Sequence, residues 1–165
     1  MVGDGTILTA LEGALAQLGD PGAVLDRAVD LLHRSRGYFW VGIYAHQGEE
    51  MVRQVFRGPV PPCLAFQLGQ GNVGTTGQTG RTMIIPDVRQ DPTYQMCFQE
   101  TRSEVVVPIR LGSEVIGVID VESDRINAFA PEEAAFLEQV AAKIARAVGR
   151  VVVPSAAPSP ARPEG

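Results

Sequence analysis

Two cysteines, Cys63 and Cys97, and three carboxylates set among apolar strand residues, Glu104, Asp120 and Glu122, are the side chains of this sequence best suited to chemistry. In a reducing compartment, two cysteines read as free, catalytic or redox-active thiols rather than as a structural staple. Each has a plainer alternative, because free Cys packs as a small hydrophobe, and Cys97 stands between Met96 and Phe98. His33 and His46 would complete four zinc ligands with the two thiols, but the short paired intervals of zinc sites are missing, so no metal is expected. The acids make a stronger pattern. Asp120 and Glu122 alternate along one strand and share a face, while Glu104 opens the strand before it. Like charges held together raise at least one pKa, which keeps a proton available for acid catalysis, and an ionised neighbour can bind an ammonium group. Acids at a sheet edge can also simply face water, but the apolar residues around Asp120 weigh against that. Trp40 and Tyr44, four apart in a strand, share a face and can either wall an apolar pocket or pack a core.

The elements that must position these groups can be read along the chain. At 165 residues, with 45% apolar and 20% charged side chains, the sequence suits one ordinary globular domain. A net charge of −5 without a basic stripe argues against nucleic acid as a partner, and no apolar run is long enough to cross a bilayer. The first twenty residues lack the basic cluster and cleavage site of a secretory signal, so a cytoplasmic location is expected. Ile7, Leu8, Leu11, Leu15 and Leu18 predict a first helix, and Asp20-Pro21 starts a second that stops at Gly37. Strands are expected over 38–44, 51–56, 64–68 and 82–85. Between the last two lies a stretch dense in glycine, Gly69 to Gly80, read as a loop with about two helical turns. It lacks the Lys-Ser/Thr pair and the dinucleotide spacing of phosphate loops, so its glycines read as turn geometry and backbone donors at a pocket rim. Residues 87–102 form a long excursion over one sheet face. A hairpin of 104–110 and 115–121 follows, then a helix from Pro131 with Leu137, Val140, Ala141, Ile144 and Val148 as its stripe. The composition of 153–165, rich in Pro, Ser and Ala, predicts a disordered tail beyond a single domain of 1–152. The fold class is α+β: a central antiparallel sheet of about six strands flanked by helices.

Three segments give this outline a family likeness: the glycine-rich stretch 69–80 before Ile84, the run Thr101-Arg102-Ser103-Glu104-Val105-Val106-Val107-Pro108, and Val115 to Ser123. Over Leu25 to Val148 the chain resembles the GAF domain, a small-molecule-binding module of PAS-like architecture. Trp40-Val41-Gly42-Ile43-Tyr44, Pro62-Cys63 and Cys97 resemble the free methionine-R-sulfoxide reductases within it. That resemblance implies Cys97 as the attacking thiol, Cys63 as the resolving thiol, a sulfenic acid and then a Cys63–Cys97 disulfide between them; the acid such chemistry needs is to be sought among Glu104, Asp120 and Glu122, with Glu104 taken as the catalytic one. It implies substrate binding by Trp40, Tyr44, Asp120 and Glu122, no cofactor, and thioredoxin or another thiol reductant as electron donor. The family's middle cysteine is replaced by Val73, and Glu122 stands where the family has Asp. A non-catalytic small-molecule sensor acting as a homodimer through its amphipathic terminal helices is the alternative. A cyclic-nucleotide module is disfavoured because Asn127, Phe129, Glu132 and Glu133 are too compressed for its signature, and a bilin carrier because Phe98, not His, follows Cys97.

Overall fold

Local signals set the two leading helices. The computed structural model describes residues 2–151, in which α1 spans Asp4–Gln17 and α2 spans Pro21–Arg36. The Asp20 carboxylate accepts from the Ala23 N–H at 2.8 Å, and Pro21 occupies the first turn, where its missing N–H costs nothing. Gly37 ends α2 at φ +66°, donating its N–H to the His33 carbonyl. The chain then forms β1 (Trp40–Gln47), β2 (Glu50–Arg57), β3 (Ala65–Gln67), α3 (Gly71–Thr79), β4 (Met83–Ile85), β5 (Ser103–Leu111), β6 (Glu114–Ser123) and α4 (Pro131–Val151). The six strands make one sheet in the order β3-β2-β1-β6-β5-β4, every pairing antiparallel, as the sequence predicts.

The glycine-rich stretch is more regular than composition suggests. It carries nine residues of α3 in spite of three glycines, because the helix lies hard against the sheet. A Cβ on Gly74 would stand 2.0 Å from the Gln67 carbonyl oxygen, and one on Gly77 would stand 2.4 Å from Met51 Cε. Packing therefore overrides the low intrinsic helix preference of glycine. Residues 87–102 are irregular as expected, apart from one 3₁₀ turn at Val88–Gln90. The tail read over 153–165 lies outside the described residues.

Period-two alternation divides the sheet into two working faces. Val41, Ile43, Ala45, Val105, Val107, Ile109, Ile119 and Val121 point to one side and pack with α1, α2 and α4 in the main core. Trp40, Tyr44, Val106 and Val118 point to the other and join Met51, Phe66, Val73 and Phe98 in a smaller cluster. By the same alternation, Glu104, Asp120 and Glu122 belong to this second side. No helix among the described residues is long and apolar enough to cross a membrane.

Candidate active site

Strand register brings the acids together. Glu104 pairs with Glu122 across β5 and β6, Val106 pairs with Asp120, and Trp40 and Gly42 of β1 lie opposite Glu122 and Asp120. One oxygen from each of the three carboxylates lies within 4.8 Å of the others. All three side chains are buried, with exposures of 3%, 2% and 4% for Glu104, Asp120 and Glu122. The Asn72 amide Nδ2 donates to Glu104 Oε2 at 2.7 Å, and the Thr101 hydroxyl donates to Glu122 Oε2 at 2.5 Å. Asp120 Oδ1 has no partner.

Burial and mutual repulsion dominate the electrostatics. Burial holds Asp120 far above the ordinary carboxylate range, and the charges of Glu104 and Glu122 push it further. Glu122 is pushed up to about 8 by burial and by Glu104, against the opposing bond from Thr101. Burial raises Glu104 as well, but it accepts hydrogen bonds from Asp120 and Asn72, which favour its ionised form. Burial and like charge thus favour a proton shared within the cluster as a whole. One oxygen from each acid lies close enough to the others for the three either to share protons or to hold a cation.

The thiols close over the same face. Cys63 lies on the segment before β3 and Cys97 on the 87–102 excursion; 34 residues apart in the chain, they form a disulfide with a Cα–Cα distance of 5.7 Å. The Arg53 guanidinium donates to the carbonyls of Pro61 and Cys63, at 3.2 and 3.1 Å, which fixes the first loop. The second is fixed by Phe98, whose ring meets Phe39 edge-on at 5.6 Å and lies 6.0 Å from Trp40. Trp40 in turn stacks on Phe56 and tilts against Tyr44, and both cysteines pack against this aromatic cluster together with Val73. Among the described residues, the Trp40 indole N–H and the Tyr94 hydroxyl, and Thr76 Oγ1 on α3, are buried without partners.

Gly42 makes room for the indole. A Cβ at that position would stand 2.2 Å from Trp40 Cη2, and Trp40 is 1% exposed with no space into which to withdraw. Gly42→Ala is expected to cost about 1–3 kcal/mol by overpacking and to change the fluorescence of Trp40, the one tryptophan in the chain. Thermal melts and emission spectra check this, and a silent substitution would refute the packing.

All seven residues singled out from the sequence thus lie on one sheet face or against it. Val73 is buried in the place expected for a third thiol. Sequence reasoning missed Asn72, Thr101 and Phe98. Thr101 lay inside a quoted motif, but nothing local marks its hydroxyl as a partner for an acid twenty-one residues on. An Asn among glycines reads as a turn residue.

Comparison with known proteins gives this arrangement a lineage. The family model of the GAF domain matches residues 20–148. The chain belongs to the GAF domain family. Among relatives, it is 34% identical over 135 residues to GAF domain-containing protein A of Dictyostelium discoideum, covering 81% of this chain and 85% of that one. It is 37% identical over 106 residues to a free methionine-R-sulfoxide reductase of Saccharomyces cerevisiae, covering 62% of this chain and 58% of the yeast protein. Among solved structures, a free methionine-R-sulfoxide reductase from Neisseria meningitidis, in complex with its substrate, superposes with a TM-score of 0.82 at 30% identity, over 87% of this chain and 86% of that one. GAF relatives with and without an assigned reductase activity therefore share this architecture.

Proposed function

We propose that this GAF domain is a thiol-dependent free methionine-R-sulfoxide reductase. The observation that carries the reading is the Cys63–Cys97 disulfide packed on the same sheet face that buries three clustered carboxylates, whose burial favours a retained proton. In the reduced protein, the Cys97 thiolate attacks the sulfoxide sulfur. The oxygen passes to Cys97 as its proton arrives from the Asp120–Glu104 pair, leaving Cys97 sulfenic acid and methionine. Cys63 then attacks the Cys97 sulfur, the hydroxyl leaves as water, and the disulfide forms. Two electrons and two protons from thioredoxin or another dithiol restore both thiols, a cycle that suits the reducing cytoplasm.

The binding residues follow from the same geometry. The unpartnered acceptors Asn72 Oδ1 and Asp120 Oδ1 suit an ammonium group held beside Glu122 and the ionised form of Glu104, and the unpartnered Trp40 indole N–H and Tyr94 hydroxyl suit an oxygen of the same ligand. Trp40 and Tyr44 provide the apolar wall for the thioether methyl. A non-catalytic, dimeric sensor would use the same sheet face but leaves the pairing of the two thiols without a role.

The test is appearance of methionine from free L-methionine-R-sulfoxide, with the reduced protein and excess dithiothreitol. Turnover at least about a hundredfold faster than on the S epimer is expected, because the epimer cannot present both oxygen to acid and sulfur to thiolate. Absence of turnover by folded, reduced protein would discard the enzyme reading and leave the sensor.

A further inference from the structure

Asn72 stands in the first turn of α3, directly after Gly71 at φ +63° and directly before Val73. Its side chain is 3% exposed. One amide hydrogen is committed to Glu104, at 2.7 Å, and this contact orients the amide: a carboxylate accepts, so Nδ2 must face it. The other end, Oδ1, is then buried with no donor. A buried acceptor left unpaired is costly, and in a native structure it calls for an explanation. Asp120 Oδ1, in the same cluster, is the second such oxygen.

The surroundings say what is missing. Asn72 Nδ2 and the Thr101 hydroxyl are the side-chain donors bonded to Glu104 and Glu122. The unpartnered groups are of two kinds, the acceptors Asn72 Oδ1 and Asp120 Oδ1 and the donors Trp40 Nε1–H and Tyr94 O–H; an amino acid answers both, its ammonium donating to the first pair and its oxygens accepting from the second. Val73, the next residue, packs with Cys63 and Cys97. The first turn of α3 therefore meets the site at both its acidic and its sulfur ends.

We infer that Asn72 is a recognition and positioning residue for the substrate's amino group, accepting from the ammonium through Oδ1 while its Nδ2 holds Glu104 in place beside Asp120. This rests on the reductase reading for the identity of the substrate, but not for the role of the amide. It makes the free amino terminus, rather than the sulfoxide alone, the feature that this side chain selects. A methionine sulfoxide inside a peptide or acylated on nitrogen has no ammonium to offer.

Asn72→Val, close in size but without either polar atom, tests the assignment in the full-length reduced protein. For free L-methionine-R-sulfoxide we expect KM to rise at least about tenfold, with any fall in kcat shared by both substrates because Glu104 loses its support. The N-acetyl derivative shares only that second effect, so the ratio of kcat/KM for the free over the acetylated substrate is expected to fall at least about tenfold. Equal losses on both substrates, or an unchanged KM for the free amino acid, would overturn the assignment. Asn72→Ala carries the same expectations if the valine variant does not fold, with thermal melts as the check. Calorimetric titration with L-methionine and N-acetyl-L-methionine separates the two claims. A wild-type protein that turns nothing over, but binds methionine at least about tenfold more tightly than Asn72→Val does, would sink the reductase reading and sustain the role of Asn72. No binding of methionine by the wild type would sink both.

Discussion

Cys97→Ser is expected to remove turnover of free methionine-R-sulfoxide by at least about a thousandfold, whatever reductant is supplied, because a serine hydroxyl cannot take the sulfoxide oxygen. Cys63→Ser is expected to behave differently. It still forms the sulfenic acid, so a small dithiol that reaches Cys97 directly should support turnover within about tenfold of the wild type. With thioredoxin as donor the loss should be about a hundredfold or more, since the disulfide that thioredoxin would reduce can no longer form. Both sulfurs are paired with each other, and Val73, packed beside them, offers no third thiol. Reaction of the reduced wild type with one equivalent of sulfoxide should therefore lower its mass by about 2 Da, the two hydrogens lost on closing one disulfide. Intact-mass spectrometry and steady-state rates with both reductants measure these effects. Equal impairment of Cys63→Ser with both donors would refute Cys63 as the resolving thiol.

Glu122→Gln should separate stability from function. A carboxyl whose pKa is raised in the folded state keeps its proton there after the unfolded chain has lost it. The stability that Glu122 contributes is therefore fully present below its unfolded value of 4.5, falls as pH rises, and is gone above its folded value of about 8. Burial gives Asp120 and Glu104 the same sign, helped at Asp120 by the charges of Glu104 and Glu122. The melting temperature of the wild type should thus decline between about pH 5 and pH 8.5. Replacing Glu122 by a neutral amide removes part of that decline and should stabilise the protein at pH 8.5 by about 2 kcal/mol, or about 4–8 °C for a chain of this size. The same change should raise KM for the free amino acid at least about tenfold, because Glu122, neutral below its folded value of about 8, can give up its proton when an ammonium docks beside it and an amide cannot. A more stable but weaker enzyme is the expected signature of a site that stores repulsion for use on its ligand. Melting curves across pH, with KM at neutral pH, decide the matter. A variant that melts lower than the wild type at pH 8.5 would show that the carboxylate is structural.

What the sequence determined by itself is what depends on near neighbours. Asp20-Pro21 and Gly37 delimit α2 because capping and φ preference act within one turn. The β5–β6 hairpin follows from alternating Val and Ile around a short turn, and the same period of two puts Asp120 and Glu122 on one face. The family likeness was legible too, since its motifs lie within those strands. Only the tertiary structure decided what depends on distant segments meeting. The insertion of β1 between β2 and β6 sets Trp40 opposite Glu122, and no local pattern specifies that order. The meeting of Cys63 and Cys97 depends on two loops pinned separately, one by Arg53 and one by Phe98. The nine-residue course of α3 required a sheet surface into which its glycines fit, and that course places Asn72 on Glu104. The proton held by the acid cluster is likewise a tertiary property. It arises from burial and mutual repulsion, and neither exists until the two sides of the sheet are covered.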